Sequence, residues 1–150
     1  MNNNPQNPAE LTSDEKMLSM FAHFSIFLGG IILPIIFYFM QKDKSKYTAF
    51  HSLQAIFFHL LYLVVLFGLI FLMAIVLLGT GALGSVFSNN HEIPGAGFML
   101  GMIIFYIGLF GSIILAIGSG VYMGIKAYNG SWKRYPIVGN WAYKKVYGNS

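Results

Sequence analysis

Three stretches of this chain contain no Asp, Glu, Lys or Arg: Met17–Met40, Ser52–Thr80 and Ile93–Ile125. The first alone would extend about 36 Å as a straight helix at ~1.5 Å per residue, against a hydrocarbon core of roughly 30 Å. A soluble fold of 150 residues has too little polar surface to enclose three such helices. Charged residues make up only 9% of the chain, against about 25% in an average soluble domain. The expected fold is therefore an all-α integral membrane protein with three hydrophobic helical segments, at about 17–40, 52–78 and 98–125. They form a single helical membrane domain from 13 to 150.

Residues 1–12, rich in Asn and Pro, read as a disordered polar tail. It lacks the basic cluster of a signal peptide, and the apolar run behind it is too long for a signal core. Thr12 and Glu15 have capping-box spacing, which starts the first helix just ahead of the apolar run. Gly29-Gly30 and Pro34 then interrupt that run, leaving either one kinked span or two short helices folded back as a hairpin, which would give four helices. Ile31–Met40 measures about 15 Å and cannot cross alone, so the expectation is a single kinked crossing. It would hold His23 and His59 near opposite leaflets.

Basic residues set the orientation. The first connector carries Lys42, Lys44 and Lys46 against Asp43, and the tail from 126 to 150 adds Lys133, Arg134, Lys144 and Lys145. The connector from Gly79 to about Gly97 has Glu92 and no Lys or Arg. The positive-inside rule makes the first connector and the carboxyl tail cytoplasmic, in a multi-pass protein of the cell inner membrane. Three crossings then place the amino terminus outside. The net charge of +4 fits this orientation and gives no reason to expect nucleic acid. Trp132, Tyr135, Trp141, Tyr143 and Tyr147 read as an interfacial aromatic belt. Ile137, Val138, Trp141 and Ala142 would share one side of a short interfacial helix on anionic lipid, the alternative being a frayed tail.

Gly108, Ser112, Ala116, Gly120 and Gly124 form a four-residue ridge of small side chains, a helix-packing face for another span, a homo-oligomer or a membrane-protein partner. His23 and His59 are the intramembrane polar residues. No carboxylate accompanies them in any span, so each reads as a neutral histidine bonded to a neighbouring helix. At about 100° per residue, Gln54 and His59 lie about 140° apart, so His51, Gln54 and His59 share no stripe. The chain has no cysteine. His91-Glu92 lacks a second histidine at metalloprotease spacing, and GTGALG at 79–84 is loop chemistry at a membrane exit. No enzyme, metal site or cofactor is expected.

Three segments carry a resemblance: DEKMLSMFAHFS at 14–25, QKDKSKYTAFHSLQAIFFH at 41–59 and GIKAYNGSWKRYPIVG at 124–139. Together they resemble a bacterial family of small membrane proteins of unknown function, distantly related to the twenty-kilodalton membrane subunit of the chloroplast inner-envelope import translocon. Matching positions are Asp14, Lys16, Ala22 and His23, then Lys42, Asp43, Lys44, Ser45, His51, Gln54 and Ala55, then Lys126, Ala127, Gly130, Trp132, Tyr135 and Pro136. The chain departs from many relatives at Ile56-Phe57-Phe58, where they carry an Asn. The expected function is non-enzymatic, through helix association and a basic aromatic cytoplasmic surface. The resemblance implies the alternative, a subunit of a transport or protein-translocation assembly.

Overall fold

The computed structural model describes residues 7–28, 30–87 and 96–148. Among these residues a 3-10 turn at Pro8–Glu10 leads into five helices: α1 (Ser13–Leu28), α2 (Ile32–Gln41), α3 (Lys46–Phe87), α4 (Ala96–Tyr128) and α5 (Val138–Tyr147). The chain divides into two compact units, residues 1–61 with 116–150, and residues 62–115.

In the second unit, α3 and α4 pair antiparallel through small residues. A Cβ on Gly101 would lie 2.7 Å from Val76 Cγ1, and one on Gly108 would lie 3.3 Å from Leu69 Cδ2. The two helices carry the chain's membrane-spanning candidates, Lys46–Gly79 and Phe98–Tyr128. Only 6% of the most apolar window of each is buried, which rules out the core helices of a soluble protein. Phe67, Phe71, Leu78, Ile114 and Leu115 all point outward. Apolar side chains exposed on every side need lipid rather than water around them.

Among the described residues two helices are long and apolar enough to cross, not three or four. The segment expected to cross as 17–40 is broken into α1 and α2. Gly30, at φ +59°, takes the left-handed conformation that ends helices, and its N–H closes onto Ser25 O at 2.7 Å. Pro34 sits in the first turn of α2, where a missing N–H costs no helical bond. It therefore belongs to the start of a helix and kinks none.

The first unit shows how the two short helices run. Gly130 lies against Pro8, Leu11 and Lys16, whereas Gly124 lies against Phe24, so α1 is antiparallel to the end of α4. Tyr47 bonds Ala127 while Phe58 packs on the cluster around Met123, so α3 is also antiparallel to α4 and parallel to α1. The intervening α2 must run back, making α1 and α2 a hairpin. The single kinked crossing is thereby overturned. The start of α1 shares one end of the unit with the carboxyl tail, contrary to an amino terminus on the opposite side.

Local chemistry explains the other boundaries. Thr12 and Glu15 form the capping box, with Thr12 N–H donating to Glu15 Oε2 at 2.8 Å and Glu15 N–H to Thr12 Oγ1 at 3.2 Å. Ahead of α1, Leu11 is buried and Pro8–Glu10 forms the 3-10 turn. Ser45 Oγ accepts from Thr48 N–H and caps α3. Gly130, at φ +74°, closes α4 with paired bonds from Ser131 N–H to Lys126 O and from its own N–H to Ala127 O. GTGALG is helical and belongs to α3, which continues to Phe87 instead of ending near residue 79. His91 and Glu92 lie outside the described residues.

Candidate functional site

Tyr47, His51, Gln54 and Phe58 follow one another at spacings of four, three and four on α3, one stripe of a helix. Beside them runs a single strand of chain, residues 131 to 135, with no regular secondary structure. Successive polar side chains of α3 meet alternate residues of it, at 131, 133 and 135. Tyr47 Oη donates to Ala127 O and, at 3.4 Å, to Ser131 O. A ring N–H of His51, at Nε2, donates to Ser131 O at 3.1 Å. Gln54 Nε2 donates to Lys133 O at 3.3 Å, and Tyr135 N–H donates to Gln54 Oε1 at 3.0 Å. Phe58 stacks on the Tyr135 ring at 4.4 Å. The stripe thus grips the backbone of the strand.

His51 also meets α1, its Nδ1 lying 3.0 Å from His23 Nε2. A carbonyl can only accept, so the bond to Ser131 O places the His51 proton on Nε2 and leaves Nδ1 as the acceptor. His23 must then donate from Nε2. The chain of bonds His23 to His51 to Ser131 O is complete with both rings neutral. His23 Nδ1 has no protein partner, and neither do Ser19 Oγ, Ser52 Oγ and His59 Nε2. His59 Nδ1 bonds Ala55 O on its own helix at 2.8 Å. The histidine that meets His23 is thus His51, and the opposite-leaflet separation expected for His23 and His59 does not arise in the hairpin. Among the described residues no three His, Cys, Asp or Glu are grouped to hold a metal.

The tail aromatics divide between core and surface. Tyr147 joins Phe50, Leu53 and Ala142 in one buried cluster, with Trp132, Tyr143 and Tyr38 packed on it. Tyr135 joins Met123 and Val138 in a second. Burial pushes the Tyr135 and Tyr147 phenols above the usual tyrosine range, so both stay neutral at neutral pH. Only Trp141 of the supposed belt is well exposed. The tail is a folded helix whose Val138 and Ala142 are buried while Ile137 and Trp141 point outward, so these four do not share one face. The entry to α5 is a tight turn, with Val138 N–H on Pro136 O and Ile137 at φ 67°, ψ −74°. A β-branched residue there is strained.

Charged groups line the rim. Arg134 lies 3.6 Å from the Tyr143 ring centroid and donates to Asn140 Oδ1 at 3.2 Å. Lys42 and Asp43 form an exposed pair at 3.9 Å in the turn before α3, with Lys44 and the capping Ser45. Burial raises the Glu15 carboxyl, but bonds from Ser45 and Thr12 outweigh it and hold the group below its usual range.

Of the ridge, Ala116, Gly120 and Gly124 lie in this unit. A Cβ on Gly120 would come 3.3 Å from His23 O, and one on Gly124 would run into Phe24 Cε1. Ser112 bonds Leu109 O of its own helix. The contacts of Gly101, Gly108, Gly120 and Gly124 are thus made within the chain. The motif residues His51, Gln54, Gly130, Trp132, Tyr135 and Pro136 gather around the strand, together with His23. Tyr47, Phe58 and Ser131 are parts of this candidate site that the sequence reading missed; the four-three-four spacing from Tyr47 to Phe58 was the available clue.

The sequence model of the magnetosome magnetite crystal formation protein family, MamF/MmsF, matches residues 14–142. No curated protein and no solved structure matches the chain.

Proposed function

The chain belongs to the magnetosome magnetite crystal formation protein family, and on that premise we propose that it is a non-enzymatic membrane protein of the magnetosome type. It acts by holding a fixed basic surface at the cytoplasmic face of the bilayer and by helix association. The observation that carries this reading is the grip of Tyr47, His51 and Gln54 on the strand that bears Lys133 and Arg134. A side chain on a clamped strand loses less conformational entropy on meeting a partner than one on a loose tail. Every Lys and Arg of the chain lies in the unit that contains this strand, and none lies between residues 62 and 115. The positive-inside rule assigns that unit's charged end to the cytoplasm.

The test is complementation in a magnetite-forming bacterium from which the protein has been deleted. The wild-type chain should restore crystal size, read by electron microscopy, and Gln54→Leu should fail although it reaches the membrane in normal amount. Full rescue by Gln54→Leu, with the strand shown to be released, would refute the clamped-surface reading. The transport or translocation alternative rests on the sequence resemblance alone. Purification with native companions separates the two, because recovery of secretion components would favour that alternative.

A further inference from the structure

A groove of about 510 Å³ opens between the end of α4 and the clamped strand. Its size falls within the ~300–1,000 Å³ of ordinary ligand pockets. Tyr122, Met123 and Pro136 supply apolar walls, and Lys133, Arg134 and Asn140 supply polar groups. The cations are differently held. Arg134 is fixed by Asn140 and by the Tyr143 ring, while Lys133 is held through its own carbonyl by Gln54 and its side chain is exposed. No carboxylate lines the groove or pairs with either cation among the described residues.

The geometry points to a binding site for a single anionic phospholipid, its headgroup phosphate on Lys133 and Arg134 and its first acyl carbons against Tyr122, Met123 and Pro136. Three features select this occupant. The two cations need an anion. The apolar walls disfavour a small hydrated anion, which would leave them unused. The walls also belong partly to the last turns of α4, one of the two helices apolar enough to cross a membrane, so an occupant of half-polar, half-apolar character matches the position. Arginine offers its planar fork to a phosphate, and lysine adds a point charge. The site deepens the basic-surface reading and rests on it, since it locates in one groove what that reading spreads over a face.

The experiment titrates phosphatidylglycerol into the full chain in neutral detergent and counts bound lipids by native mass spectrometry, with phosphatidylcholine as the comparison. Wild type should retain one phosphatidylglycerol in preference to phosphatidylcholine. The pair Lys133→Gln with Arg134→Gln should weaken it roughly thirtyfold, taking the usual contribution of a basic residue near an anionic surface. Lys144→Gln with Lys145→Gln removes the same charge elsewhere and should change it less than about twofold, and Lys133→Gln alone serves where the Arg134 change disturbs folding. Equal weakening by both pairs would overturn the site while sparing a diffuse basic surface. No preference for phosphatidylglycerol in wild type would overturn both. Displacement of the lipid by millimolar inorganic phosphate alone would reassign the groove to a free anion and overturn the lipid proposal.

Discussion

Gly139→Ala is the most direct challenge to the clamp. Gly139 is buried in the first turn of α5 and donates its N–H to Tyr135 O at 3.1 Å. A Cβ there would stand 2.6 Å from Gln54 Oε1, 2.6 Å from Arg134 Cβ and 2.9 Å from Arg134 Cα. Only the first belongs to a side chain that can turn away, and it is the atom that accepts from Tyr135 N–H. Relief therefore requires shifting the 134–139 backbone or breaking the clamp. Overpacking costs about 1–3 kcal/mol and stranding a buried N–H about 1–3 kcal/mol. Because the strand relaxes along one of these routes more than the other, a total of about 2–4 kcal/mol is expected, or roughly 30- to 900-fold in the population of the open strand. Hydrogen exchange at the Tyr135 amide of the detergent-solubilised protein reads that population directly. Gly118→Ala is the control, since nothing lies within 4 Å of its Cβ. Tyr135 protection in Gly139→Ala within about twofold of wild type would refute the reasoning, because a clamp insensitive to a methyl group in its closest contact is not held by that contact.

Gly120→Leu should lower thermal stability more than Gly118→Leu, by about 2 kcal/mol or more, because it drives α4 off the His23 carbonyl; equal melting of the two would remove the ridge as a packing face. His51→Phe should cost about 1–3 kcal/mol more than His59→Phe in denaturant titration, since it strands both His23 Nε2 and part of the Ser131 carbonyl, whereas His59 bonds only its own helix. The Glu15 carboxyl lies below its usual range in the folded chain, so its bonds stabilise α1 above that range and are lost as pH falls through the lowered value. The protection factor of the Thr12 amide should drop on acidification in wild type and stay flat in Glu15→Gln. Single cysteines at Glu10 and Asn129 should label from the same side of sealed vesicles, and labelling from opposite sides would sink the hairpin.

The sequence marked the break after α1 but not its outcome, and the reason is physical. Ten residues from Ile31 to Met40 cannot cross a bilayer. That fact fits an α2 that continues α1, and equally a helix that turns back without crossing. What decides between them is the contact of Gly130 with Pro8 and Lys16 and of Gly124 with Phe24, formed across more than ninety residues of chain and invisible to local pattern. The aromatic tail was misread for a similar reason. Tyr135 and Tyr147 beside lysines have the composition of an interfacial belt, and only the partners brought by α3 turn them into core. Features that depend on adjacent residues were legible: the capping box at Thr12 and Glu15, and the small residues along α4. The stripe from Tyr47 to Phe58 was legible in spacing but not in purpose, because the strand it grips lies about eighty positions away.

The hydrogen bonds from α3 reach carbonyls and an amide of the strand, groups that every residue carries. The socket therefore tolerates exchange of what the strand displays. Position 135 must keep its N–H and so excludes proline, and Gly130 and Gly139 are fixed by their geometry. Position 133 faces no such demand, since the clamp uses only the Lys133 carbonyl and leaves its exposed side chain outside, whereas the Arg134 side chain also holds Asn140 and the Tyr143 ring of α5. A new side chain there can change the surface the protein presents while the helices beneath keep their packing. The strand is in this sense an interchangeable cassette, and the surface it displays can drift or be redesigned at position 133 without the fold having to follow.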